Sequence, residues 1–345
     1  MSCKIDFRRA MALVCCVMGL VLVGCASPKT GEELPRRGEE IMVAGRLFHV
    51  GAPVVLWTDP GGYDAYRVER RFVDFQESDW EKSKDALEGP ARYNLRYIRK
   101  IADNYTPEQL DQVRGGGWPL ELLQEKVDQF VIHYDVCGTS RTCFRILHDV
   151  RGLSIHFMLD IDGTIYQTLD LKERAWHATI SNDRSVGIEI ANIGAYPPAK
   201  AQTLKEWYAP ELDTTGKATR ARLTLPGRFG DGGVRTPNFV GYSARAEPVV
   251  GEVQGEKLEM YDLTPQQYES LIKLTAALCR VFPKIKPVYP TDELGKPLMK
   301  QLSPEAWASF GGVLGHFHIQ DDKNDPGPAF DWEHVMKGAR RELGR

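Results

Sequence analysis

Two histidines and an aspartate stand in settings that suit metal chemistry. His133 closes the apolar run Phe130-Val131-Ile132 and so falls at a strand end, and His316 follows Leu314-Gly315 in a similar setting near the other end of the chain. Asp325 lies in Asn324-Asp325-Pro326-Gly327-Pro328, a turn whose prolines would hold a carboxylate rigidly. Two imidazoles and a carboxylate, with a fourth position left to water, make the ligand set of a catalytic zinc site. Taken singly, each of the three is an ordinary strand-end histidine or turn aspartate. The zincin arrangement, two histidines four apart with an intervening glutamate, does not occur in the chain. Cys137 and Cys143 flank a five-residue spacer. In an oxidising compartment they are close enough to bridge, worth about 2 kcal/mol by loop closure; a metal site built on the two thiols is the alternative.

These residues need a frame, and the pattern supplies one. Phe130 to His133 reads as a strand, Arg141 to Val150 as a helix, Ile155 to Thr168 as a hairpin turning at Asp162-Gly163, and Val186 to Ile190 as a further strand. Thr106-Pro107-Glu108-Gln109 and Thr264-Pro265-Gln266-Gln267 are capped helix starts, the second opening the longest helix with Leu271, Leu274, Leu278 and Phe282 on one face. Ser303-Pro304-Glu305 opens a short helix, and Trp332 to Leu343 closes the chain as another. Strands and helices alternating in this way predict an α/β (α+β) fold with a central mixed sheet flanked by helices.

Net charge of -3 over 345 residues, with charged residues at 26%, leaves no basic stretch of the kind nucleic acid requires. At the amino terminus Lys4, Arg8 and Arg9 precede an apolar run, 10–23, too short to span a bilayer comfortably. It ends in Leu22-Val23-Gly24-Cys25, which resembles the lipobox of bacterial lipoproteins. That implies a signal peptide at 1–24 and an acylated Cys25 anchoring the mature chain to a membrane. Ala26 and Ser27, with no aspartate after Cys25, imply an outer-membrane location facing the periplasm. Residues 25–40 then read as a tether, 41–126 as an amino-terminal extension of no assignable role with strands expected around Tyr66 and Phe72, and 127–345 as the main domain. The Gly- and Pro-rich stretch 194–262 interrupts that domain as a long insertion.

Five motifs occur in order: Val131-Ile132-His133, Arg174-Ala175-Trp176-His177-Ala178, Ser185-Val186-Gly187-Ile188-Glu189, Gly315-His316, and Lys323-Asn324-Asp325-Pro326-Gly327-Pro328-Ala329-Phe330-Asp331-Trp332. This succession, over about 130–192 and 262–335, resembles the type-2 N-acetylmuramoyl-L-alanine amidase family, which shares its fold with peptidoglycan recognition proteins and T7 lysozyme. The resemblance implies one Zn2+ per chain held by His133, His316 and Asp325. Glu189 is implied as the catalytic proton carrier, Lys323 as an ammonium for the tetrahedral oxyanion, and His177 as a substrate contact. His156, inside Ile155-His156-Phe157, is a second candidate for the substrate groove or else a core histidine. Cys137 and Cys143 match a small disulfide near the first ligand in the recognition proteins. The implied substrate is peptidoglycan or a muropeptide, cut between N-acetylmuramic acid and L-alanine. The other readings are a peptidoglycan-binding module without catalysis and a zinc peptidase cutting within the stem peptide.

Overall fold

The computed structural model describes Thr30, 36–66 and 93–344, and from Gly38 onward these residues form one compact unit. Cys25 and Phe72, singled out in the sequence, lie outside the described residues. Fourteen strands occur among them: β1 Glu40–Val43, β2 Arg46–His49, β3 Val54–Leu56, β4 Tyr93–Asn94, β5 Gln129–Tyr134, β6 Phe157–Leu159, β7 Ile165–Gln167, β8 Arg174–Ala175, β9 Ser185–Ile190, β10 Tyr208–Leu212, β11 Ala218–Leu223, β12 Val249–Val253, β13 Glu256–Met260 and β14 Gly312–Gly315. Six of them build the central sheet in the order β14-β5-β9-β6-β7-β3. The pairs β14–β5, β5–β9, β9–β6 and β7–β3 are parallel, and β6–β7 is the antiparallel hairpin. This is the mixed sheet that the alternation of elements predicts.

The two-residue period of the strands sorts their side chains onto two faces. Phe130 and Ile132 of β5, with Val186, Ile188 and Ile190 of β9, join the main core, whereas Val131 packs on the opposite side with Leu314 and Ala178. The main core is closed by the helix Pro265–Val281, whose Leu271, Leu274 and Leu278 are fully buried, each worth about 2 kcal/mol of transfer from water. Its start is the expected capping box, Thr264 accepting from the Gln267 amide while the Gln267 side chain answers the Thr264 amide. The helix Trp332–Leu343 packs against it so closely that a Cβ at Gly338 would lie 2.6 Å from Ile272. The same box caps Pro107–Arg114 through Thr106 and Gln109.

The amino-terminal extension is built into this unit. β3 is the edge strand of the central sheet, paired with β7, and Ile41, Val43, Val54 and Leu56 join the main core. Tyr66, expected in a strand, lies in a turn. The insertion 194–262 carries two hairpins, β10–β11 and β12–β13, the first packed over a small core of Ile193, Leu204, Trp207 and Tyr208.

Candidate active site

Three neighbouring parallel strands, β14, β5 and β9, end on the same side of the sheet, which is where open α/β sheets expose their binding crevice. His133 sits near the end of β5 and pairs in register with Glu189 of β9, so the two side chains project from the same face, opposite the main core. His316 follows β14 directly. Asp325 returns on the loop beyond it, its carbonyl accepting from the Phe317 amide. His133 Nδ1, His316 Nδ1 and an Asp325 oxygen gather within 4.8 Å of one another, all in buried side chains. The two Nδ1 atoms are 3.1 Å apart, and Asp325 Oδ2 is 2.8 Å from the first and 3.1 Å from the second.

The hydrogen bonds around this cluster test whether it suits a cation. Gln320 directs its amide nitrogen at the Asp322 carboxylate, which can only accept, so its Oε1 faces His316 Nε2 at 2.8 Å and takes that proton. A neutral His316 then has a bare lone pair on Nδ1. His133 Nε2 lies 3.0 Å from His177 Nδ1, and His177 Nε2 lies 3.2 Å from the Ser185 hydroxyl, a chain that lets His133 also turn a bare Nδ1 inward. Two imidazole lone pairs and a carboxylate converging in a buried place repel one another unless a cation lies among them, and this nitrogen and oxygen set is one that suits zinc.

Burial, with His316 alongside, lowers the His133 imidazole to about 4, which keeps it a neutral ligand. Burial works to raise the Asp325 carboxyl, but His316 and His133, when they carry protons, outweigh it by charge and by hydrogen bonding and hold it well below the usual carboxylate range, a role that a bound cation would take over. Glu189 behaves oppositely. Burial, then the charges of Asp325 and Asp135, push it well above its ordinary value, and its Oε2 has no hydrogen-bond partner. A carboxyl of raised proton affinity beside three donors that could hold a metal is placed to accept and return a proton. Lys323 lines the same cavity with its ammonium 3.1 Å from Asp322.

His177 lines the cavity too, lying across β9 so closely that a Cβ at Gly187 would come within 2.5 Å of its ring. Only glycine leaves it that space, and burial, with His133 next to it, lowers its imidazole well below the ordinary value. Its place is therefore behind His133 as well as along the groove.

Two expectations are corrected. His156 is a core histidine, not a groove contact: it is fully buried, its Nδ1 accepts from the Gly187 amide, and its Nε2 lies 3.0 Å from the Glu173 carbonyl. Cys137 and Cys143 are free thiols in contact, not a bridge. Cys137 sits in a tight loop whose amides, with that of Gly138, donate to Asp135 Oδ1, while Cys143 is fixed in the short helix Ser140–Phe144. Together with Asp135 the two sulfurs form a second cluster within 4.8 Å in the floor of the cavity.

Arg96 carries no motif, and the sequence offers no signal for it. Its guanidinium is fully buried and donates to the carbonyls of Leu171, Asp183 and Ser185 at 2.7, 3.2 and 2.9 Å, lying 3.4 Å from His156 Nε2. With β4 paired to β8, it locks the segment 93–100 against the edge of the site.

Comparison with known proteins yields one family, that described as N-acetylmuramoyl-L-alanine amidase of type 2, matched over residues 123–218, a span that includes His133, His177 and Glu189. Among curated proteins, the 1,6-anhydro-N-acetylmuramyl-L-alanine amidase AmpD of Haemophilus influenzae is 28% identical over 149 residues, covering 40% of this chain and 72% of that protein. Among solved structures, a selenomethionine derivative of AmpD aligns with a TM-score of 0.30 at 19% identity, over 62% of this chain and 86% of that one. AmiD from E. coli, in complex with anhydro-N-acetylmuramic acid-L-Ala-D-γ-Glu-L-Lys, aligns with a TM-score of 0.35 at 19% identity, over 61% of this chain and 57% of that one.

Proposed function

Because the chain belongs to the type-2 N-acetylmuramoyl-L-alanine amidase family, we propose that it hydrolyses the amide between N-acetylmuramic acid and L-alanine in peptidoglycan or muropeptides, and does so with zinc. The observation that carries this reading is the meeting of His133, His316 and Asp325 at the strand ends, with Glu189, whose proton affinity burial raises, in register beside them. Zinc, when bound by those three side chains, supplies a Lewis acid that acidifies water to a pKa of about 7 and polarises the scissile carbonyl. The chain's own residues do the rest. Glu189 takes the proton from the attacking water and returns it to the departing L-alanine amine, a transfer that its raised proton affinity favours. Lys323, at the rim, offers an ammonium to the oxyanion once it leaves Asp322. Gln320 and His177 hold the two ligand imidazoles in orientation.

The same reading puts the protein in the cell envelope, anchored through acylated Cys25 to the outer membrane and facing the periplasm, where its work is wall remodelling or recycling. Digestion of muropeptides followed by mass spectrometry tests the chemistry. Free stem peptides beginning with L-alanine, and glycan bearing unsubstituted lactyl groups, are the expected products; peptides cut internally would show a peptidase instead, and an intact substrate a binding module.

A further inference from the structure

The crevice has two lobes that meet at His316, one of the three clustered donors. A smaller one, about 390 Å³, runs over Tyr134, Cys137, Glu189 and Tyr196. A larger one, about 770 Å³, runs the other way over Trp176, Ile180 and Trp307 to the segment Ile98–Lys100. His177, His316, Arg151 and Lys323 line both, so a bond cut at the metal would have one half of its substrate in each lobe.

The lobes differ in charge. Four carboxyl side chains, Asp135, Glu189, Asp322 and Asp325, line the small lobe against Arg151 and Lys323. In the large lobe the only acid among the lining residues is Asp183, already bonded to Arg174 at 2.7 Å, so Arg99, Lys100, Arg151 and Lys323 set its sign. Arg99, Lys100 and Arg151 make no ion pair with any described residue. Two of these cations come from the extension, outside the span that matches the family, and the clamp at Arg96 fixes where they stand. The Tyr97 amide donates to Asp183 at 2.7 Å, tying the start of Ile98–Lys100 to the lobe wall.

The two halves of the amidase substrate differ in charge in a matching way. Forming the muramoyl amide consumes the lactyl carboxylate, leaving the glycan half uncharged. A stem peptide linked through the γ-carboxyl of glutamate keeps its α-carboxylate and its terminal carboxylate, and these outnumber the single lysine ammonium of the amide-linked stem. We propose that the large lobe seats the stem peptide, with Arg99 and Lys100 as specificity residues that read its carboxylates, and that the glycan half lies in the small lobe. This inference rests on the amidase reading. Exposed cations of this kind add up to about fivefold each in affinity, and salt screens them.

The test compares L-Ala-D-γ-Glu-L-Lys with the same peptide carrying carboxamides in place of both carboxylates, by calorimetry on the full zinc-loaded chain and on the Arg99→Ala/Lys100→Ala variant. Wild type should bind the acid form about tenfold more tightly than the amide form, and the variant should lose that preference. With N-acetylmuramoyl-L-Ala-D-γ-Glu-L-Lys as substrate, the variant's KM should rise about tenfold, while KM for the carboxamide substrate stays within twofold, a split that a general loss of structure would not give. Equal affinities for the two peptides, or a KM indifferent to the substitutions in an enzyme that does turn over, overturns the lobe assignment. Failure of wild type to hydrolyse either substrate overturns the amidase reading instead.

Discussion

Replacing Glu189 by glutamine separates proton transfer from metal binding. The carboxyl stands beside His133 across the β5–β9 ladder but is not one of the three clustered donors, and its Oε2 is buried without a partner. Glutamine keeps the volume and removes only the ability to take and return a proton. A positioned general base or acid contributes about 10²- to 10⁴-fold, or roughly 3 to 5 kcal/mol of barrier at about 1.4 kcal/mol per decade. The variant should therefore release stem peptide at most about one hundredth as fast as wild type, measured by chromatography of a muropeptide digest. Its zinc content, read by plasma emission, should be unchanged. Its thermal midpoint should hold or rise, because burial and the neighbouring Asp325 already disfavour the ionised carboxylate. Turnover within about threefold of wild type would refute the proton-transfer role, and loss of zinc would show Glu189 to be a ligand.

Three other perturbations follow from the same geometry. Gln320→Ala removes the acceptor of the His316 Nε2 proton and should weaken zinc binding by about 10- to 100-fold in a chelator competition, with the fold intact by circular dichroism. Arg96→Met leaves the carbonyls of Leu171 and Ser185 without their donor, and should cost about 3 kcal/mol or more in urea unfolding. Asp160 is fully buried, and burial raises its carboxyl to about 7. Between about pH 4 and pH 7 the unfolded chain gives up this proton while the folded one keeps it, so the group's contribution to stability falls as pH rises through that window and is level above it. Asp160→Asn should flatten that slope and gain roughly 2 to 4 kcal/mol at pH 8 while changing little at pH 4, as followed by denaturation at each pH.

The three clustered donors were legible because each borrows its position from a feature that periodicity reveals. His133 lies next to the end of an apolar strand, His316 follows another, and Asp325 sits in a proline-framed turn. Glu189 needed the sheet as well, since only parallel pairing of β5 with β9 brings it level with His133. His156 shows where the pattern stops. It extends the strand β6 on the same face as Met158, whose pairing partner is Glu189, so alternation alone points it at the site. Arg96 and the segment around it cover that end of the sheet and seal the imidazole from the groove. A contact made by a residue sixty positions away leaves no local trace, and the same holds for Gln320 behind His316 and for Arg99 and Lys100 in the crevice. The thiol pair illustrates a different gap: spacing gives proximity, and the structure does bring Cys137 and Cys143 into contact, but as thiols beside Asp135.

X-ray absorption at the zinc edge of the purified chain tests the central claim most directly, because it counts and identifies the atoms around the metal. One zinc per chain with two imidazole nitrogens and carboxylate or water oxygens at about 2.0 to 2.2 Å is the expected result. Sulfur at about 2.3 Å would move the metal to Asp135, Cys137 and Cys143, and a chain that binds no zinc would leave His133, His316 and Asp325 without the role given to them here.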